Sequence, residues 1–193
     1  MQEANRRVGI RLELLTVGWN TIEALVAISA GITAGSVALV AFGLDSVVEI
    51  SSALVVLWQF AGIAEERERL ALRFIGWSFF VLAAYVSISA IYDLATTAEP
   101  DASTVGIVLT ALSLAVMPLL AWAKRRAGER IGSRTLIADS RETLICSYLS
   151  ASTLLGLIGN AALGWWWTDP LAALVIAGFA VKEGREAWTA DDD

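Results

Sequence analysis

Six apolar runs, each long enough to cross a bilayer as one helix, constrain this 193-residue chain more than any other feature. Hydrophobic residues make up 56% of the sequence, which is more than a water-soluble domain carries. Short polar or glycine-containing segments separate the runs. We therefore predict an all-α polytopic membrane protein, with one transmembrane domain of six helices at about residues 12–34, 36–62, 69–95, 103–123, 134–163 and 169–188.

The distribution of lysine and arginine predicts how the helices are oriented. These residues lie before or at the start of the first run, between runs 2 and 3, between runs 4 and 5, and at the end of run 6. Arg141, inside run 5, is the one basic residue of the sequence outside this pattern. By the positive-inside rule both termini are then cytoplasmic. The first residues carry both charge signs without a cleavage site, so we predict no signal peptide. We expect a multi-pass protein of the plasma membrane or bacterial inner membrane. The net charge of -6 indicates no nucleic-acid partner.

The second run contains two acidic residues. It reads GSVALVAFGLDSVVEISS from Gly35 to Ser52 and carries Asp45 and Glu49 one helical turn apart, on one face of the helix. An unpaired ionised carboxylate at this depth costs about 2.5 to 3.5 kcal/mol. A cation, a proton or a hydrogen-bonding partner must offset that cost.

A second segment repeats this pattern at a constant offset. GSRTLIADSRETLICSYLS, from Gly132 to Ser150, aligns with the first segment without a gap. Residues able to bind a metal stand at both key positions of both copies. The matched pairs are Gly35 and Gly132, Ser36 and Ser133, Leu39 and Leu136, Ala41 and Ala138, Asp45 and Glu142, and Glu49 and Cys146.

The repeat predicts a shared site at mid-membrane. The two segments are three helices apart and therefore antiparallel, which is typical of a three-plus-three inverted repeat with its site where the halves meet. The chain has one cysteine and no histidine, so we predict Asp45, Glu49, Glu142 and Cys146 as metal ligands. This donor set suits Zn²⁺ and also admits Mn²⁺ or Fe²⁺. Crowded carboxylates hold protons until a divalent cation displaces them, which is the chemistry of a proton-coupled antiporter.

Alternatives remain for each ligand. Asp45, Glu49 and Glu142 can instead be buried in hydrogen bonds or ion pairs, for example with Arg141, without binding an ion. A lone intramembrane cysteine such as Cys146 can be a small apolar filler.

Four further polar residues lie near the predicted ligands. Asn20 and Glu23, one turn apart in the first run, either line the ion path, support the ligands through hydrogen bonds or join two helices. Asp139 is one turn from Glu142 and is either a relay on the ion path or the partner of Arg141.

The segments GSVALVAFGLDSVVE, GSRTLIADSRETLIC and GWWWTDPLAALVIAGF resemble the second, fifth and sixth helices of the cation diffusion facilitator family. This resemblance implies a homodimeric exporter, not an enzyme, which moves Zn²⁺ or a similar ion out of the cytoplasm in exchange for protons. It places the metal on Asp45, Glu49, Glu142 and Cys146.

The sequence departs from the family pattern at several positions. The family usually has Asp at Phe42, Asp at Glu49, and His or Asp followed by Asp at Glu142 and Cys146. The cytoplasmic domain that usually follows the sixth helix is not expected after Trp188, so a dimer would form through the transmembrane helices. The alternative function is a non-transporting membrane protein of the same fold that binds metal as a sensor or regulates a partner.

Overall fold

The computed structural model describes residues 2–60 and 65–189, and these residues form helices joined by short connections. No strand occurs among them. The elements are α1 Gln2–Ala34, α2 Val37–Phe60, α3 Glu65–Thr96, α4 Thr104–Ile131, α5 Arg134–Leu163 and α6 Thr168–Thr189. The chain is thus a multi-pass helical membrane protein, as predicted.

The helices begin and end close to the predicted positions, with two exceptions. Helix α1 begins at Gln2 instead of residue 12, and α4 continues to Ile131 instead of ending at residue 123. Lysine, arginine and glutamate, as in the KRRAGER segment, are good helix formers. The charged segment therefore shows where the apolar run ends, but the helix continues beyond that point. The connection predicted between Lys124 and Arg134 is therefore only Gly132 and Ser133 long.

The repeated Gly-Ser pair forms the same tight turn in both halves. Gly35 and Gly132 have φ angles of 67° and 69°, a left-handed conformation that glycine adopts without steric cost. The serine that follows each glycine caps the next helix, since Ser36 Oγ accepts from the Leu39 amide at 3.1 Å and Ser133 Oγ from the Leu136 amide at 3.3 Å. Both halves therefore reverse direction within two residues.

Equivalent glycines bring the helices of each turn into close contact. A Cβ atom on Gly31 of α1 would lie 2.8 Å from the Val40 amide nitrogen of α2. A Cβ atom on Gly128 of α4 would lie 3.1 Å from the Ile137 amide nitrogen of α5. Small residues that let two backbones approach are typical of helix pairs in membranes.

The contacts between helices follow the inverted repeat. Helix α1 packs mainly on α2, α4 packs in the same way on α5, and α3 packs on its counterpart α6. The halves also meet where α1 contacts α4 and α2 contacts α5. Each helix of the second half runs antiparallel to its counterpart, because an odd number of reversals separates them. The predicted three-plus-three arrangement is therefore present.

Helix α6 is also joined to α2 by a buried carboxylate. Asp169 in the first turn of α6 is 1% exposed. It accepts hydrogen bonds from Ser36 Oγ at 2.5 Å and from the Ala38 amide at 3.2 Å. The second bond satisfies the Ala38 amide at the start of α2. Together the two bonds hold α6 beside α2, the helix that carries Asp45 and Glu49.

The outer surface of the bundle is apolar. Large hydrophobic side chains such as Leu25, Ile88, Leu119 and Leu155 are exposed, which is expected of a surface that faces lipid. Among the described residues, α1 to α5 each contain a stretch that is long and apolar enough to cross a membrane. Helix α6 does not meet that criterion, because its apolar stretch ends at the charged residues that begin with Lys182.

Candidate metal site

The two acidic residues of α2 point into the bundle. Asp45 is 8% exposed and Glu49 is 5% exposed, and both face the same side of the helix. Their neighbours on that face include the buried Phe42 and Ala53, so an apolar surface surrounds the two carboxylates. Burial of this kind is costly unless a proton or a cation neutralises the charge.

Four carboxylates surround one small cavity. Asp45 and Glu49 line it from α2, Glu142 from α5 and Glu183 from α6. The remaining lining residues are the apolar Phe79 and Ile145, and the cavity volume is about 20 Å³. A cavity needs roughly 10–15 Å³ on this scale to hold one water molecule, so this one has room for a single water or a dehydrated ion.

Glu49 has no hydrogen-bonding partner. Both of its carboxylate oxygens are buried, and neither is bonded to any described residue. Thr143 and Cys146 of α5 are polar side chains near this carboxylate. A buried carboxylate without a hydrogen-bonding partner is expected to bind a proton or a metal ion.

Cys146 does not line the cavity. Its thiol is 2% exposed and belongs to the main apolar core, one turn after Glu142 on α5. The fourth wall of the cavity is instead formed by Glu183, which sequence reasoning missed. The charges at the end of α6 suggested a cytoplasmic segment. However, the buried face of α6 runs through Ala173, Ile176 and Ala180 to Glu183, and that spacing was readable in the sequence.

The carboxylates surround the cavity without converging on a point. Within residues 2–60 and 65–189, no three aspartate, glutamate or cysteine side chains are close enough together to hold a metal ion. Rotation of side chains into the cavity is therefore needed before an ion can be coordinated by more than two of them.

Asn20 and Glu23 lie at the interface of α1 and α4 and are both fully buried. Glu23 accepts a hydrogen bond from Ser113 of α4, whose hydroxyl also accepts from the Trp19 indole at 3.3 Å. The Asn20 amide donates to the Thr16 carbonyl at 3.1 Å. One oxygen of Glu23 and the side-chain oxygen of Asn20 have no partner among the described residues. These groups extend the polar interior from the α2 carboxylates into α1.

Asp139 belongs to a buried ion cluster. Its carboxylate is paired with Lys124 of α4 and accepts a hydrogen bond from Ser52 of α2 at 3.0 Å. Lys124 is fully buried and also contacts Glu13 of α1 at 3.2 Å and Thr143 of α5 at 3.1 Å. Four helices are joined by these contacts.

The cation in this cluster was not the one expected. The sequence offered Arg141 as the partner of Asp139, but the Arg141 side chain is exposed and Lys124 takes that place. The predicted end of the fourth helix at residue 123 puts Lys124 in a connection, but α4 continues to Ile131 and the Lys124 side chain is buried in the bundle. Glu13 was missed as well, since the first helix was expected to start close to it.

Comparison with known proteins gives a consistent set of matches. Residues 64–189 match the family described as the cation efflux transmembrane domain. An uncharacterized transporter of Synechocystis is 30% identical over 158 residues, covering 76% of this chain and 51% of the relative. Transmembrane protein 163 of Xenopus laevis is 25% identical over 186 residues, covering 92% of this chain and 66% of the relative. The cation-efflux pump FieF of Shewanella oneidensis is 30% identical over 86 residues, covering 45% of this chain and 28% of the relative.

Proposed function

The chain belongs to the cation efflux transmembrane domain family, as its motifs predicted, and from this premise we propose that it transports a divalent metal cation across the membrane. The alignments cover about half of the Synechocystis relative and two thirds of the Xenopus relative, so the proposal concerns what this helical domain does.

The observation that carries the proposal is the cavity between α2, α5 and α6. Its four carboxylates come from three different helices, and its lining contains no basic side chain. Oxygen-rich, negatively charged donors are typical of sites for divalent cations. The cavity is enclosed by helices of both halves of the inverted repeat, which is where transporters of this architecture hold their substrate.

Asp45, Glu49 and Glu142 are proposed as ligands, with Glu183 as the fourth donor. Cys146 lies within reach of Glu49 and is a softer donor that would favour Zn²⁺ if its side chain turns toward the cavity. Without the thiol, the same cavity suits Zn²⁺, Mn²⁺ or Fe²⁺.

Proton exchange follows from the crowding of the carboxylates. Four carboxylates around a cavity of about 20 Å³ cannot all be ionised without a counter-ion, because like charges at low dielectric repel strongly. The protons they hold would be released when metal binds and taken up when it leaves. We propose an alternating-access antiporter that exports the metal and imports protons.

The proposed orientation in the membrane follows from the distribution of basic residues. Basic residues at the start of α1 and the end of α4 support an orientation with both termini in the cytoplasm, and we propose a plasma membrane or a bacterial inner membrane as the setting. A homodimer would form through exposed faces of the helices.

The test is metal flux into proteoliposomes loaded with a metal-sensitive dye. The Asp45→Asn variant keeps the size of the side chain and removes its charge, and we expect it to abolish flux. Glu129→Gln is the matched control, since Glu129 is an exposed carboxylate at the far end of α4, paired with Arg125. Unchanged flux in Asp45→Asn would refute the proposal.

The same preparation distinguishes transport from a sensing or regulatory role. Metal binding by the native protein with no flux above that of empty liposomes would support the alternative of a non-transporting metal-binding protein. Calorimetric titration of the native protein with Zn²⁺ and Mn²⁺ supplies the binding measurement.

A further inference from the structure

A groove runs between α1 and α4 at the end of the bundle where α4 ends and α1 begins. Its volume is about 280 Å³, many times that of the carboxylate cavity. Apolar residues of both helices form its floor, and a row of larger side chains of α4 forms one wall. The floor consists of Val8, Leu12, Ala123 and Ala127.

The wall of the groove combines one tryptophan with two arginines. Trp122, Arg126 and Arg130 are spaced four residues apart, so they form one line along the face of α4. The Arg126 guanidinium lies 5.2 Å from the centre of the Trp122 ring, which holds it over the groove. Tryptophan at this position is typical of the boundary between the lipid tails and the headgroups.

The two arginines have charge available for a ligand. On the neighbouring face of α4, Arg125 is paired with Glu129 at 3.0 Å. In the described part of the chain, no carboxylate forms an ion pair with Arg126 or Arg130. Two cations therefore face a groove whose remaining surface is apolar, in a protein with a net charge of -6.

We propose that this groove binds one anionic phospholipid. The headgroup phosphate lies between Arg126 and Arg130, where charge-assisted hydrogen bonds form with both guanidinium groups. One acyl chain follows the apolar floor past Leu12 and Trp122 toward the membrane interior. Basic pockets between transmembrane helices at headgroup depth bind acidic lipids in this way. The proposal depends on neither the metal site nor transport.

The experiment measures retention of phosphatidylglycerol by the full chain in detergent micelles, using native mass spectrometry, with phosphatidylcholine as the uncharged reference. The double variant Arg126→Gln with Arg130→Gln should lower the apparent affinity for phosphatidylglycerol by roughly 10- to 30-fold. Binding of phosphatidylcholine should not change.

Arg125→Gln is the control for surface charge, because it removes one positive charge beside Arg126 but outside the groove. We expect it to change phosphatidylglycerol affinity by less than about twofold, since exposed ion pairs contribute little. Equal loss in the control and the double variant would overturn the proposal, because it would show a general effect of surface charge.

Two further measurements identify what occupies the groove. Inorganic phosphate should not displace the lipid, and displacement at matched concentration would show a phosphate site instead of a lipid site. A native dimer whose phosphatidylglycerol binding is insensitive to the double variant would show that a second copy covers the groove, and this too would overturn the proposal. Circular dichroism confirms that each variant retains its helical content.

Discussion

Glu183 adds a fourth carboxylate to the cavity, and its removal should weaken metal binding. In Glu183→Gln the side chain keeps its shape but loses the charge and one good donor oxygen. We expect the affinity for Zn²⁺ and Mn²⁺ to fall about 10- to 100-fold, the range typical of residues that support a metal site. Isothermal titration of purified protein measures this, and Glu186→Gln on the exposed face of α6 serves as the control.

Cys146→Ala tests the competing donor in the same assay. The thiol belongs to the core and does not line the cavity, so the variant should bind both metals nearly as well as the native protein. Thiolate prefers Zn²⁺ over Mn²⁺. A selective loss of Zn²⁺ affinity in Cys146→Ala, with no effect of Glu183→Gln, would make Cys146 the fourth ligand.

The close packing of helix α1 on helix α2 requires a residue without a side chain at Gly31. In Gly31→Ala the new methyl group would lie 2.7 Å from a Val40 methyl carbon and 2.8 Å from the Val40 amide nitrogen. Since backbone cannot move aside cheaply, we expect a loss of about 1–3 kcal/mol in the free energy of unfolding. Unfolding by denaturant in detergent micelles, followed by circular dichroism, measures the change.

Gly18 in the same helix provides the matched control for that substitution. A Cβ atom there meets nothing within 4 Å. Gly18→Ala should therefore stabilise the protein by up to about 1 kcal/mol, the helix-propensity difference between the two residues. A similar destabilisation at both positions would show that the close approach of α1 to α2 is not the cause.

The ion cluster joins α1, α4 and α5, and its stability depends on Lys124. Lys124→Met would leave the carboxylates of Glu13 and Asp139 buried without their cation. Removing one partner from a buried ion pair costs about 3–5 kcal/mol, and we expect a loss of that size in the free energy of unfolding. Arg125→Met is the control, since Arg125 of α4 is exposed and its partner Glu129 is exposed as well.

A compensated variant tests the electrostatic cause. If the loss comes from uncompensated charge, then Lys124→Met combined with Glu13→Gln and Asp139→Asn should recover most of the stability. If the combined variant is as unstable as Lys124→Met alone, the effect comes from packing of the lysine stem and the electrostatic account is wrong.

In the whole molecule, the two halves have the same backbone arrangement but carry different charged residues. The repeat offset that aligns Leu39 with Leu136 also aligns Phe42 with Asp139, so one half has a buried aromatic ring where the other has an ion cluster. At this position the ion cluster of the second half therefore has no counterpart in the first half. In the alternating-access mechanism proposed above, the two access states would therefore differ in energy.

The features that both halves share could be predicted from the sequence, whereas the contacts of individual buried charged residues could not. The facing of α2 and α5 follows from a local pattern that occurs twice, and this prediction was confirmed. The second turn is shorter than predicted, because α4 continues to Ile131. Burial of Lys124 and Glu183 depends on which side chains other helices place beside them. The helical spacing of Ala173, Ile176, Ala180 and Glu183 indicated which face of α6 is buried. No local pattern near Lys124 indicated the carboxylates that other helices place beside it.

The crowding of carboxylates in the cavity predicts that metal binding is coupled to proton release. Protons compete with the ion for Asp45, Glu49, Glu142 and Glu183, so affinity should fall as pH falls. We expect about one or two protons to be released per ion, because a divalent charge balances two carboxylates. Calorimetric titration in buffers of different ionisation enthalpy counts these protons.

Neutral substitutions in the cavity should lower that count. Glu49→Gln removes a carboxylate whose two oxygens have no other partner, so its proton is the one most directly replaced by the ion. The variant should release about one proton fewer per bound ion, whereas Glu129→Gln should release as many as the native protein. If affinity does not depend on pH and Glu49→Gln leaves the count unchanged, the carboxylates do not exchange protons for metal, and antiport would require carriers elsewhere in the bundle.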